Sequence, residues 1–169
     1  AGERVLDVAC GAGRFARRMA DLGATVIAID QAENFITRAK QRSGGNTEHL
    51  RFQVCNAADK ESLLALSQEK FDAVVCTMAL MDMATIEPLI SSLPELLKPG
   101  GRFVFTISHP VFNSGTSRMT AEQYQENGQL KTRYSVSISD YLTPFQFEGI
   151  GVPGQPVAQD YFHRPLSLI

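Results

Sequence analysis

Short apolar runs alternate with longer stretches of helical spacing through the first two-thirds of the chain. Val5, Leu6 and Val8 form the first run, and Thr25-Val26-Ile27-Ala28-Ile29 the second. Arg51 to Val54, Phe71 to Cys76 and Arg102 to Ile107 repeat the pattern. Runs this short, with little polar alternation, suit strands covered on both faces, as in a parallel sheet. Between them the apolar period lengthens. Phe15, Ala16, Met19 and Leu22 predict a helix over 14–22, stopped by Gly23. Phe35, Ile36 and Ala39 predict a second over 33–42, and a short third is expected over 61–66. The stripe Ile86, Leu89, Ile90, Leu93, Leu96 and Leu97 predicts a fourth, with Thr85 placed to cap it. Pro88 falls in its first turn, where it is tolerated, whereas Pro94 predicts a kink or break. Lys98-Pro99-Gly100-Gly101 reads as a tight turn into the fifth strand. Strands alternating with helices in this way predict an α/β domain with right-handed crossovers.

After Pro110 the periodicity fades. Residues 113–120 are polar and turn-rich, and 129–138 suit one strand of a hairpin, with Val136 and Ile138 on one side. Residues 142–160 mix aromatics with Gly and Pro. So long a stretch without clear period points to a lid or binding segment. The expected organisation is a core over 1–110, a lid or substrate-recognition insertion over 111–160, and the start of a returning helix over 161–169. Pro165 stands where a helix tolerates proline best. The first strand begins almost at residue 1 and the last helix is cut, so the chain is expected to be truncated at both ends.

Composition narrows the function classes. The chain has 169 residues, 44% hydrophobic and 20% charged, enough for one ordinary domain core. A net charge of −2 supplies no basic field for nucleic acid. No apolar run approaches the ~20 residues of a membrane span, and no leader pattern opens the chain. The expectation is a soluble, cytoplasmic protein. Cys10, Cys55 and Cys76 lie in or beside strands and read as buried thiols of a reducing compartment. No Cys/His cluster has metal-ligand spacing, so no metal is expected. Oligomeric state is not legible.

The chemistry concentrates between Asp7 and Phe15. Gly11 and Gly13 let the backbone turn sharply between strand and helix and approach a ligand closely. The helix start that follows offers N–H groups and partial positive charge to an anionic group. Asp7, at the strand end, is an odd neighbour for pyrophosphate alone. It suits a ligand that also carries an ammonium or sulfonium centre. Gly11-x-Gly13-x-x-Ala16, with Asp30 at the end of the second strand, also fits a dinucleotide fingerprint. An NAD(P)-dependent oxidoreductase is therefore an alternative reading, and a non-catalytic cofactor-binding scaffold is another.

Taken together, the motifs resemble the class I methyltransferases that use S-adenosylmethionine. The family's opening motif is an acid followed by three alternate glycines. Here it reads Asp7-x-Ala9-x-Gly11-x-Gly13, with Ala9 replacing the first glycine. Asp30, Asn56-Ala57, Phe71-Asp72-Ala73-Val74-Val75 and Leu97-Lys98-Pro99-Gly100-Gly101-Arg102 follow in the family's order, so the resemblance spans about residues 4–110. It implies a Rossmann-like, doubly wound, mostly parallel sheet of order 3-2-1-4-5-7-6, with five strands visible here and a lid segment after the fifth. It implies that Gly11 and Gly13 underlie the methionine part of the cofactor. Asp30 would accept the ribose hydroxyls, and Gln31 would flank the adenine. Asn56 would accept from the adenine amino group, Ala57 would offer its backbone N–H, and Thr77 and Met78 would line the methionine end.

Methyl transfer from a sulfonium is an in-line displacement, in which the protein supplies position and dry surroundings. A general base is needed only where the acceptor must lose a proton early. His109 and His163 are the candidates: His109 ends the fifth strand, and His163 lies in Tyr161-Phe162-His163-Arg164-Pro165. The Asn-Pro-Pro-Tyr-type motif of nucleic-acid amino methylation is absent, and no cysteine follows a proline. A small organic methyl acceptor is the expectation. Whether O, N or C is methylated is not legible.

Overall fold

The computed structural model describes residues 2–66, 68–111, 116–151 and 153–169. The chain divides into two compact units, residues 1–106 and 107–169.

The first unit alternates strand and helix. Its elements are β1 (Arg4–Val8), α1 (Arg14–Asp21), β2 (Thr25–Asp30), α2 (Glu33–Ser43), β3 (Leu50–Val54), α3 (Lys60–Leu64), β4 (Phe71–Thr77), α4 (Glu87–Leu96) and β5 (Leu97–Thr106). The five strands form one parallel sheet of order β3-β2-β1-β4-β5. This matches the expected Rossmann-like order as far as the fifth strand. The order reverses direction at β1, whose neighbours are β2 and β4. Side chains alternate across the sheet. Val26, Ala28 and Phe52 pack with Ala16 of α1 and with Ile36 and Ala39 of α2. Val5, Ala73 and Val75 continue the same side against Met19 and Ala24. On the other side Leu6, Val8 and Val74 are fully buried, and α4 packs against β4 and β5. Each large side chain so buried contributes roughly 1.5–3 kcal/mol. α1 covers only part of its side, and Val104 of the end strand β5 remains 47% exposed.

Local differences from the sequence expectation have identifiable causes. Thr85 is not the cap of the fourth helix: Ile86 stands there, with no side-chain cap. That helix continues two residues past Pro94 and ends at Leu96, so the proline shortens it rather than breaking it at once. The tight turn at 98–101 forms as an irregularity within β5. Phe71 pairs with Leu97 and Ala73 with Arg102, so the intervening residues leave the ladder.

The second unit contains two antiparallel ribbons. β6 (Arg118–Glu126) and β7 (Gln129–Ser137) pair through Asn127-Gly128, both at positive φ, the turn that matches strand twist. β8 (Phe145–Gly149) pairs with β9 (Gln159–His163). The helix expected to begin at 161 is absent. Tyr161 and His163 instead alternate onto one face opposite Phe147 and Phe145, a strand period, and only a 3-10 turn at Leu166–Leu168 follows. The polar stretch expected over 113–120 lies partly outside the described residues, and its described end opens β6.

Candidate functional site

The carboxyl ends of β1 and β2 build the site. After β1 the chain enters a turn that β2 holds in place. Cys10 N–H donates to the Ile29 carbonyl at 2.9 Å, and Gly13 N–H to the Cys10 carbonyl at 3.0 Å. Asp30, 8% exposed, accepts Gly11 N–H at 2.8 Å on one carboxylate oxygen and Ala32 N–H at 2.9 Å on the other. The acid that ends β2 is thus built into the turn. Its carbonyl also accepts Cys55 N–H at 3.0 Å, which ties the loop after β3 to the same place.

The glycines of the turn do different work. A Cβ added at Gly11, where φ is +53°, meets nothing within 4 Å, so the space above it is open to a ligand. A Cβ at Gly13 would lie 2.5 Å from Phe52 Cε1 and 3.0 Å from Ala39 Cβ. Gly13 therefore lets α1 and β3 close together, and its place in the motif is a packing requirement. Ala9 adopts φ 55°, the left-handed region that a glycine occupies without strain.

Asp7 lies beneath this turn and is 2% exposed. The Ala16 N–H of α1 donates to its carboxyl group, while Oδ2 has no partner. Burial, then the nearby Asp30 charge, push the Asp7 carboxyl up to about 7. Burial and these same acids push the Cys10 thiol upward, and burial with Asp7 raises Cys76. Neither is an activated thiolate.

The remaining expected contacts lie on the neighbouring strand ends. Gln31 is exposed beside Asp30. Asn56 is exposed, but its side-chain oxygen accepts Ala58 N–H at 2.9 Å and shapes the loop before α3. Ala57 is buried. Thr77 ends β4, and Met78 follows at φ 56°, half-exposed, its N–H held by the Thr106 carbonyl at 2.8 Å. Ala32 and Thr106 are positioning groups that the sequence did not single out. An apolar groove of about 330 Å³, lined by Phe15, Met19, Val75 and Val104 among others, runs along the sheet face between α1 and β5 and reaches Thr77 and Thr106.

Both candidate histidines belong to the second unit. His109 is exposed, and its Nδ1 accepts Val111 N–H at 3.2 Å. His163 is 3% exposed, and its Nε2–H donates to the Tyr141 carbonyl at 2.8 Å. That bond leaves Nδ1 as the acceptor nitrogen, with no partner. Phe145 stacks on the ring at 4.8 Å. Among the described residues no cluster of three or more His, Cys, Asp or Glu is arranged to hold a metal.

A parallel sheet whose order reverses at β1, an acid-anchored glycine turn and an open cradle over Gly11 meet the requirements for a nucleoside ligand with a charged tail. A family model described as a methyltransferase domain matches residues 1–149. The chain belongs to this methyltransferase family. It is 38% identical over 109 residues to the ubiquinone biosynthesis O-methyltransferase of Xanthomonas axonopodis pv. citri, covering 64% of this chain and 44% of that one. To the protein of the same name from Brucella anthropi it is 34% identical over 122 residues, 72% of this chain and 48% of that one. An S-adenosylmethionine dependent methyltransferase from Mesorhizobium loti superposes with TM-score 0.70 at 26% identity, over 98% of this chain and 69% of that one. This chain spans about half the length of the curated relatives it matches. Family membership sets aside the nicotinamide alternative raised by the glycine spacing. No helix among the described residues is long and apolar enough to cross a membrane.

Proposed function

We propose that this chain supplies the S-adenosylmethionine site of an enzyme that methylates a small organic acceptor. The observation that carries the reading is the open space over Gly11 between two acids, Asp7 beneath the turn and Asp30 beside it. A ligand with an ammonium and a sulfonium fits that surplus of negative charge, and a ribose fits an acid at the end of β2. When bound, the cofactor supplies an electrophilic methyl group for in-line displacement.

The chain's own residues bind and orient. Asp30 keeps lone pairs for two ribose hydroxyls while its backbone-bound geometry fixes their position. Gln31 flanks the adenine, and Ala57 offers it a backbone N–H. Asn56 has one oxygen lone pair committed to Ala58, so its contact to the adenine amino group uses the other. Met78, held by Thr106, and Thr77 line the methionine end. The O-methyltransferase names of the curated relatives support an oxygen acceptor, for which a base is useful. His109 and His163 are the two candidates for that base: exposed His109 has its Nδ1 accepting a backbone N–H, and buried His163 has a bare Nδ1.

The test is turnover. The full-length protein, supplied with S-adenosylmethionine and a panel of phenols, amines and carboxylic acids, should form S-adenosylhomocysteine with a phenol. His109→Phe or His163→Phe should lower kcat on a phenol by roughly 10²–10⁴-fold, the range of general-base catalysis. Turnover only with amines would overturn the oxygen acceptor, and unchanged kcat in both variants would remove the histidine base.

A further inference from the structure

The two acids at the strand ends differ in how they are held. Asp30 accepts a backbone N–H on each oxygen, from Gly11 and from Ala32. Asp7 is more deeply buried, accepts only the Ala16 N–H, and leaves Oδ2 bare. The Asp30 charge disfavours ionisation of Asp7, which has fewer donors and less water to hold a charge of its own. The groups acting on Asp7 come from each element around it. They are Asp30 at the end of β2 and the Ala16 N–H of α1, with the thiols of Cys10 in the turn and Cys76 in β4 near enough to feel the Asp7 charge. Both thiols stay neutral, because burial disfavours their ionisation. Among the described residues none of these groups is a cation.

We propose that Asp7 is a neutral carboxylic acid in the ligand-free protein and gives up its proton when the cationic cofactor binds, so that cofactor binding is coupled to proton release. This rests on the cofactor reading above. A cation seated over Gly11 favours the ionised acid beneath the turn, whether or not it touches Oδ2. The group is poised for that exchange because burial and Asp30 already hold the carboxyl at about 7. An opposite charge within ~4–6 Å lowers a carboxyl by about 1–3 pH units. At pH 6 the bound acid is then largely ionised and the free one largely protonated.

The same feature sets the direction of the pH dependence. Below about pH 7 the ligand competes with a proton, and its Kd rises as pH falls, by at most tenfold per pH unit, until the bound acid is protonated too. Above pH 8 Asp7 is already ionised and the dependence vanishes. S-adenosylmethionine, with its extra sulfonium charge, releases at least as much proton as S-adenosylhomocysteine. The α-amino group of either ligand stays largely protonated between pH 5.5 and 7.

Isothermal titration calorimetry with S-adenosylmethionine, in buffers of different ionisation enthalpy, counts the protons released. Wild type should release between about half and one proton per ligand at pH 6, and less than about 0.2 at pH 8. Asp7→Asn should bind with no proton release at either pH. Infrared difference spectra of the ligand-free protein give an independent reading: wild type should show a carboxylic C=O band near neutral pH that Asp7→Asn lacks. Binding at pH 6 with no buffer-dependent heat, or no such band, overturns this inference alone. Absence of binding overturns the cofactor reading, and this inference falls with it.

Discussion

The Asp30 carboxylate accepts the Gly11 N–H at 2.8 Å, so the acid that ends β2 fixes the glycine turn that follows β1. The same carboxylate holds Ala32 N–H at 2.9 Å. In the proposed cofactor site, ligand contact and turn geometry share one side chain. Asp30→Ala should weaken S-adenosylhomocysteine binding by about 1.5–3 kcal/mol, the scale of a hydrogen bond to a charged group. It should also speed hydrogen exchange at Gly11 and Ala32 in the ligand-free protein. Unchanged exchange at both amides would show that the turn holds itself.

Gly11 and Gly13 should respond oppositely to substitution. Gly13→Ala drives a methyl into Phe52 and Ala39 and should cost about 1–3 kcal/mol of stability. Gly11→Val meets no packed neighbour and costs only the strain of a β-branched residue at φ +53°, but it fills the space above the turn and should abolish cofactor binding. Urea unfolding and calorimetry on the two variants separate these effects. A Gly11→Val protein that binds normally would place the ligand elsewhere.

Ala9→Gly should raise stability. Ala9 at φ 55° carries about 1–2 kcal/mol of left-handed strain, against roughly 0.5–1 kcal/mol of added chain entropy in the unfolded state. The expected net gain is about 0.5–1 kcal/mol, read as a higher urea midpoint at constant m-value. A loss of similar size would show that the Ala9 methyl contributes packing that outweighs the strain.

Asp7 makes the ligand-free fold sensitive to alkali. Its carboxyl is raised from 3.8 to about 7 by burial and by Asp30, so the native state holds a proton that the unfolded chain loses. Stability from this group is present below about pH 4, declines as pH rises through 4–7, and is gone above that window. Asp7→Asn should therefore be more stable than wild type at pH 8, by up to about 4 kcal/mol, with the difference closing toward pH 4. Thermal unfolding at a series of pH values checks this. A constant difference across the series would mean Asp7 does not titrate in that range.

Much of the first unit was legible because its strands are short apolar runs and its helices carry a clean stripe. Both signals report burial, which is what the sheet and its helices share. The glycine turn between strand and helix was legible, but the separate roles of Gly11 and Gly13 were not. That division depends on Phe52, which is distant in sequence and comes close only when β3 is in place. The second unit was read less well. Asn127-Gly128 is a strong hairpin signal, yet the exposed, mixed-polarity strands beside it hide the period. The aromatics at 145, 147 and 161, with His163, were read as a lid and the beginning of a helix. Their alternation becomes evident only once Phe145 is set opposite His163.

The central claim is that the glycine turn between Asp7 and Asp30 receives S-adenosylmethionine. Calorimetric titration of the purified protein at pH 8 with S-adenosylhomocysteine, and in parallel with NAD, tests it most directly. The account predicts one saturable site for S-adenosylhomocysteine, lost in Gly11→Val, and no binding of NAD. Saturable binding of NAD with none of S-adenosylhomocysteine would contradict it.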